Sequence, residues 1–406
     1  MLLGYARCAT TPPIGTALGG YYSRAKGSEC LYDDLYARCL ALCPEGEGEC
    51  FAIAVLDVLG VPTDLYEDVV SRLREARAFV VIGATHSHAA PLPSAGDELY
   101  REYLARAVAG CVRSALRSAR ERVRRAVVGV SRLPQLVYNR RDPQRGPVDP
   151  TLVALDLGPV AVINYSCHPV ILGPDNLCIS ADYPGAIVSV FERLSGKRAL
   201  FLNGCCGDVN PRTPSTRLDR PYDRRGAGYD EVLWFGEVVA LEALKSLRLG
   251  EAIELEDPIY AAEKVSLRVR SLPPLDEVER LVEEARGRGD VYTLRRLERL
   301  ESLVRALGDR RSIEVPIAAV RLSKSLAAVF MPAEVFVEIQ LEIRRSSPFR
   351  YTIVASYFNS YWGYIPTKRA FEEGGYETEL PATIIEPGEG EKLVNAVIKL
   401  LAELSP

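Results

Sequence analysis

Histidine is scarce in this 406-residue chain, which has only His86, His88 and His168. Each follows a short apolar run that reads as a buried strand. Residues 79–82 lead into Gly83-Ala84-Thr85-His86-Ser87-His88, and residues 160–165 lead into Ser166-Cys167-His168-Pro169. Ligand sites of open α/β sheets gather beyond the carboxyl ends of strands, so three imidazoles arriving there could converge on a metal ion. If the backbone stays extended, the i, i+2 spacing sets His86 and His88 on one side. A catalytic zinc site takes about three or four protein ligands from His, Cys, Asp or Glu and leaves a position open. Glu334, just past the apolar run 326–331, is a candidate carboxylate. Asp57, inside the apolar run 51–59, is expensive to bury alone. It reads either as an acceptor behind a ligating imidazole or as a hydrogen-bonded core acid. The bland alternative is three unrelated, satisfied histidines.

The elements that must carry these residues alternate. Strands are expected at 51–59, 79–82, 153–157, 160–165, 199–202 and 326–331. Helices are expected from Thr63-Asp64 as a cap, then over 98–125, 186–194, 233–247 and 392–404. That alternation predicts an α/β fold, a mixed, largely buried sheet flanked by helices. Residues 275–308 stand apart, with leucines and valines at helical spacing among dense Arg and Glu, broken by Gly287-Arg288-Gly289-Asp290. They predict a charged helical hairpin, an excursion packing one stripe on the body or serving as a partner-binding or dimer arm. Residues 1–406 are expected to form one catalytic unit with that hairpin inserted.

The charge balance, 50 Lys+Arg against 54 Asp+Glu, argues against a nucleic-acid or anionic-membrane surface. No apolar run is long enough to span a bilayer, and the first residues lack the pattern of a secretory signal, which predicts a cytoplasmic protein. Few Gln, Asn and Met and many more Arg than Lys fit a thermophile. The ten cysteines form no C-x-x-C…C-x-x-C framework, so a zinc ribbon is not expected. Cys43 and Cys50 bracket a turn-rich loop and could form a disulfide if the flanking runs pair as a hairpin; cytosolic disulfides occur in hyperthermophiles. Nothing in the sequence sets the oligomeric state.

Five short motifs occur in order: Thr85-His86-Ser87-His88, Cys167-His168-Pro169, Gly207-Asp208-Val209-Asn210-Pro211, Pro332-Ala333-Glu334, and Tyr364-Ile365-Pro366-Thr367 with Tyr376-Glu377. From about residue 3 to 380 the chain resembles the catalytic domain of the neutral/alkaline ceramidases, zinc-dependent hydrolases of a lipid amide. The resemblance implies that His86, His168, Glu334 and Tyr364 hold Zn2+. It implies that His88 contacts substrate beside the metal, that Tyr376 helps hold the reacting carbonyl and, through the loosest match, that Arg140 belongs to the site. Two departures stand out. Asn210 occupies the position of a family serine tied to catalysis, and a carboxamide cannot serve as a hydroxyl nucleophile, although it could donate a hydrogen bond. A chain of this length is also expected to be too short to contain the family's carboxy-terminal β-sandwich. Asp208 is expected to orient neighbours or to bond its own turn, and Cys205-Cys206 to be packing residues or a redox-sensitive pair.

The expected reaction is therefore hydrolysis of a linear N-acyl amide by metal-activated water. If the source is an archaeal thermophile, its lipids would not be expected to include sphingolipids, so nothing guarantees ceramide as the substrate; a small-molecule amide or ester, which could be lipid-like, is expected. A metallo-esterase or lactonase on the same site is one alternative, and a metal-containing binding protein with weak catalysis is another. Nucleophilic catalysis by Cys167 beside His168 is disfavoured because adjacent side chains on an extended chain point apart.

Overall fold

The computed structural model describes residues 1–93 and 98–406. It is a mixed α/β structure, but its strands are divided among three larger sheets rather than gathered into one. The first sheet runs, in spatial order, Ala78–Ala84, Cys50–Leu56, Tyr36–Cys43, Leu2–Ala9 and Glu121–Arg122. The second runs Arg198–Asn203, Val160–Tyr165, Thr151–Asp156, Arg125–Arg132 and Glu251–Glu254. The third runs Ile259–Arg268, Ser312–Arg321, Leu326–Phe330 and Tyr351–Ala355. Each of these sheets contains one parallel pair: Cys50–Leu56 with Ala78–Ala84, Val160–Tyr165 with Arg198–Asn203, and Leu326–Phe330 with Tyr351–Ala355. The segments leaving the carboxyl ends of those strands build the candidate site.

Period-two patterning sorts the layers. In Tyr36–Cys43, Leu40 and Leu42 enter a core shared by all three sheets, together with Phe51, Ile53, Leu155, Leu200, Phe330 and Ile353. Ala37, Cys39 and Ala41 face the other way, and their small side chains let helix Glu98–Ser118 lie on the first sheet. Gly4 marks the closest approach, where a Cβ would stand 2.0 Å from the Ala115 carbonyl oxygen. Helices Asp182–Ser195 and Tyr229–Arg248 cover the second sheet, and Glu389–Leu404 with Val337–Ser346 covers the third. No helix among the described residues is long and apolar enough to cross a membrane.

The differences from expectation have local causes. The helix foreseen over 98–125 stops at Ser118, because Ala126 and Val128 alternate into the shared core as part of Arg125–Arg132. The helix at Thr63 is entered from Pro62, with no side-chain cap. The hairpin forms as Leu275–Arg288 and Val291–Leu307, with Asp290 accepting from the Thr293 N–H at 3.1 Å. Its stripe Val278, Val282, Leu300 and Val304 packs within the hairpin and on Leu380, while Leu303 and Leu307 reach the core outside the third sheet.

Cys43 and Cys50 are disulfide-bonded where their strands pair as a hairpin. A second bond, Cys30–Cys178, joins the parallel strands Cys30–Leu31 and Cys178–Ile179 across 148 residues, a pairing with no local sequence signal. Closing the shorter loop is worth about 2 kcal/mol by chain entropy. The C43S/C50S double variant should lose that much in urea unfolding under oxidising conditions.

Candidate metal centre and active site

His86 and His88 leave the Ala78–Ala84 strand, His168 leaves Val160–Tyr165, and Glu334 follows Leu326–Phe330. Each of the three sheets thus supplies one part of the site. The chain is not extended through the first motif, as the i, i+2 argument assumed. His86 has φ 70°, in the left-handed region. Ala333, Tyr357 and Asn359 have φ between 62° and 69°. Such conformations cost about 1–3 kcal/mol each for non-glycine residues and persist only where surrounding contacts over-determine them. Here the Asn359 N–H donates to Ile82 O at 2.7 Å, the Ile82 N–H donates to Asn359 Oδ1 at 2.9 Å, and the Ser356 hydroxyl donates to Ala333 O at 2.8 Å.

Both buried imidazoles at the centre have their tautomer set by backbone carbonyls. His86 Nδ1 lies 2.6 Å from Leu59 O and His168 Nδ1 lies 2.7 Å from Cys206 O, so these nitrogens carry the protons. The two Nε2 atoms, left with lone pairs, face each other at 3.1 Å. Glu334 Oε2 lies 3.2 Å from each of them. One proton could satisfy only one of these three contacts, whereas a cation satisfies all three. Ligand atoms about 2.0–2.1 Å from a tetrahedral zinc are about 3.3 Å apart, close to the separations seen here. His88 Nε2 adds a third imidazole, 3.3 Å from His86 Nε2, and the three histidines together form a group that could hold a metal ion. Burial lowers the His168 pKa to about 4, with the Arg140 charge adding to it, and burial likewise holds His88 well below its ordinary value. At neutral pH both are therefore free bases, the form a metal requires.

The groups behind the centre were less legible. Tyr361 donates to Glu334 Oε1 at 2.5 Å and so aims the other carboxylate oxygen at the histidines. Tyr357 stacks on His86, with ring centroids 4.1 Å apart, and its hydroxyl meets Cys206 Sγ at 3.0 Å. Neither tyrosine belongs to a spaced motif, although both follow the strand Tyr351–Ala355 and could have been weighed for that reason. Gly20 must be glycine: its φ is +89°, and a Cβ there would fall 2.2 Å from His88 Nδ1.

Tyr364 stands opposite Glu334 in the short parallel pair Glu334–Val335 with Tyr364–Ile365. Its hydroxyl accepts from Arg140 Nη2 at 2.9 Å. Burial raises the phenol's pKa, and the Arg140 charge opposes that rise. The Arg140 guanidinium is already engaged, with Glu377 Oε1 at 2.7 Å and Gly207 O at 2.7 Å. It therefore orients Tyr364 rather than offering a free fork to a substrate carboxylate. Asn210 Oδ1 lies 3.4 Å from Arg140 Nη1, and its amide donates to Pro221 O at 3.3 Å. Tyr376 packs edge-on to Tyr364, centroids 5.9 Å apart, and lines a cavity of about 470 Å³ together with His88, Glu334, Tyr361 and Tyr364.

Other candidates take structural roles. Asp57 accepts from Arg38 Nη1 at 2.6 Å and from the Tyr36 N–H, making it a paired core acid. Cys167, Cys205 and Cys206 are fully buried and burial raises their thiol pKa values, which leaves them inert packing groups. Asp208 accepts from Asn139 Nδ2 at 2.6 Å and from the Val337 N–H at 3.0 Å, tying its loop to the start of helix Val337–Ser346.

Burial pushes the Asp208 carboxyl from 3.8 up to about 7, and that of Asp182 up to about 6. Acids whose pKa is higher in the fold than in the unfolded chain stabilise the fold at low pH, and the contribution is lost as pH rises from about 4 through the folded values. Each tenfold difference in proton affinity is worth about 1.4 kcal/mol, so Asp208 accounts for a decline of a few kcal/mol. D208N should remove the Asp208 share of that slope between about pH 4 and 7, leaving the share of Asp182 and the contributions of the same sign from Asp33 and Glu338, whose carboxyl pKa values burial also raises. Urea midpoints of both proteins across that range check it, and parallel curves would refute it.

No family model and no curated protein matches the chain. Among solved structures it is similar to neutral ceramidase from Pseudomonas aeruginosa, with a TM-score of 0.72 and 17% identity over 99% of this chain and 74% of that one. A structure of ceramidase complexed with C2 is similar to the same degree, with a TM-score of 0.72 and 16% identity over 100% of this chain and 76% of that one. Three sheets, each delivering site residues from its parallel pair, thus belong to a backbone that matches about three quarters of each of those structures over 99–100% of this chain: the chain has a neutral ceramidase-like fold.

Proposed function

We propose that this protein is a metal-dependent hydrolase of a linear N-acyl amide bond, with residues 1–406 acting as one catalytic unit. His86, His168, Glu334 and Tyr364 would hold the ion, and zinc suits this nitrogen and oxygen donor set. The observation that carries the reading is the meeting of two imidazole lone pairs and a carboxylate oxygen at 3.1–3.2 Å with no proton to share among all three. The likeness of fold to two ceramidase structures supports an amide as the bond cleaved.

A divalent ion held by these residues would lower the pKa of a water to about 7 and polarise a carbonyl. The chain's own residues then handle position and protons. His88, neutral at pH 7 and with Nε2 turned toward the centre 3.3 Å from His86 Nε2, can take a proton at Nε2 and return it to the leaving amine. Tyr376, whose phenol burial keeps protonated, can donate its O–H to the carbonyl oxygen as charge develops on it. Arg140 orients Tyr364, and Asn210 braces Arg140 and the Pro221 turn without acting as a nucleophile.

Metal analysis of the purified protein and of the H86A and H168A variants, with turnover of N-acyl amides against matching esters, tests this reading. One equivalent of metal in the wild type, its loss in both variants and faster cleavage of amides are expected. Full metal content in both variants would remove the centre. Ester-only turnover would make the protein a metallo-esterase, and stoichiometric metal without any turnover would make it a binding protein.

A further inference from the structure

The cavity in front of the histidines is bounded on one side by the N-terminal segment around Gly20 and on the other by the second helix of the hairpin. The hairpin is therefore part of the site's wall and not only a solvated excursion. The charges on that wall do not cancel. Glu334 is directed at the two imidazoles, and Glu298 is paired with Arg295 at 3.1 Å. Arg24 is buried and donates to the carbonyl oxygens of Gly19, His88 and Gly173 at 2.9, 2.6 and 3.0 Å, with no carboxylate in contact among the described residues. Arg299 is partly buried and makes no hydrogen bond or ion pair among the described residues, whereas its helix neighbours Arg295, Arg296 and Arg305 each hold a glutamate. Arg299 lines the cavity together with Tyr22, Glu334 and Tyr361. Tyr361 is the residue that holds Glu334, so Arg299 stands near the candidate reaction centre. A guanidinium taken partly out of water without an anion is unfavourable, and its planar fork matches a carboxylate.

We propose that Arg299 is a specificity residue that binds an anionic group of the substrate, with Arg24 adding positive field from the other wall of the cavity. The substrate is then an amide carrying a carboxylate near the scissile bond, such as an N-acyl amino acid, rather than a neutral lipid amide. The anion site stands on the wall charges alone, whereas the amide it would select rests on the hydrolase reading above.

Calorimetric titration with N-(hexylsulfonyl)glycine and its neutral carboxamide, in which an uncleavable sulfonamide replaces the amide, tests the proposal apart from turnover. Wild type should bind the carboxylate about 10- to 100-fold more tightly, the range of a charge-assisted hydrogen bond. That preference should shrink with added salt, vanish in R299Q and survive in part in R299K, with thermal unfolding showing both variants folded. Equal binding of the two probes by wild type would overturn the proposal. So would a preference that R299Q retains, which would put the carboxylate on the metal or elsewhere. Hydrolysis of N-hexanoylglycine is measured alongside. A preference that depends on Arg299 without any hydrolysis would uphold the anion site and remove the hydrolase reading.

Discussion

Glu334→Gln is expected to make the metal-free protein more stable while weakening its hold on a divalent ion by at least about 100-fold. The opposite signs follow from one geometry. In the absence of a cation, Glu334 Oε2 faces two acceptor nitrogens at 3.2 Å, a contact in which no partner donates. A carboxamide of nearly the same shape supplies two N–H groups to those lone pairs and leaves the other oxygen to accept from Tyr361. Satisfying buried acceptors is worth about 1–2 kcal/mol. The same change removes an anionic ligand, and even residues that merely support a ligand contribute roughly 10- to 100-fold to metal affinity. Thermal unfolding with and without added zinc reads both effects. Metal at about 1,000 times the wild-type Kd stabilises the fold by about 4 kcal/mol, and a 100-fold weaker Kd cuts that to about 1.4 kcal/mol, so the shift of E334Q should be no more than about a third of the wild-type shift. An E334Q protein that is less stable when stripped of metal, and that still responds to zinc like wild type, would show that the carboxylate has an ordinary structural role.

Arg140→Gln should cost about 3 kcal/mol of stability. Arg140 is buried and bonds Glu377, Gly207 O and Tyr364 at 2.7–2.9 Å. Removing one partner of a buried ion pair generally costs about 3–5 kcal/mol, because the other charge is left uncompensated. The low end applies here because Glu377 keeps Arg141 at 3.0 Å and the Tyr222 hydroxyl at 3.1 Å. Urea unfolding of R140Q, E377Q and the double variant measures the coupling, and the double should be less destabilised than the sum of the singles. Additive losses would mean that the pair is not a unit. Tyr364 loses its hydrogen-bond donor in R140Q, so metal affinity should fall with stability, whereas E377Q should lower stability and leave the Tyr364 contact in place.

Much of the site was legible because the chemistry is sparse. With three histidines in the chain, each beside a strand end, their candidacy needed no geometry, and the five ordered motifs pointed to Glu334 and Tyr364. Tyr361 and Tyr357 were missed because a tyrosine supporting a ligand has no required spacing; the chain has 20 tyrosines, and only packing distinguishes these two. Arg140 was singled out by motif, but its partners Glu377 and Gly207 lie 237 and 67 residues away, so its orienting role could not be read locally. The helix foreseen over 98–125 ran too far because its last residues also fit a two-residue period, and the shared core favours that reading.

Local order in this protein is written residue by residue. Alternation makes its strands, 3.6-residue spacing makes the hairpin and the helix Glu98–Ser118, and the turn between Cys43 and Cys50 makes their disulfide reachable. These are short-range properties, set by which side chains share a face. Convergence is not short-range. His86 and His168 are 82 residues apart, and they meet because two different sheets share a core and open their parallel ends toward the same space. The same holds for Arg299. Along its helix it is one arginine among several, and it becomes a charge on the cavity wall with no counter-charge among the described residues only when the hairpin folds over that cavity.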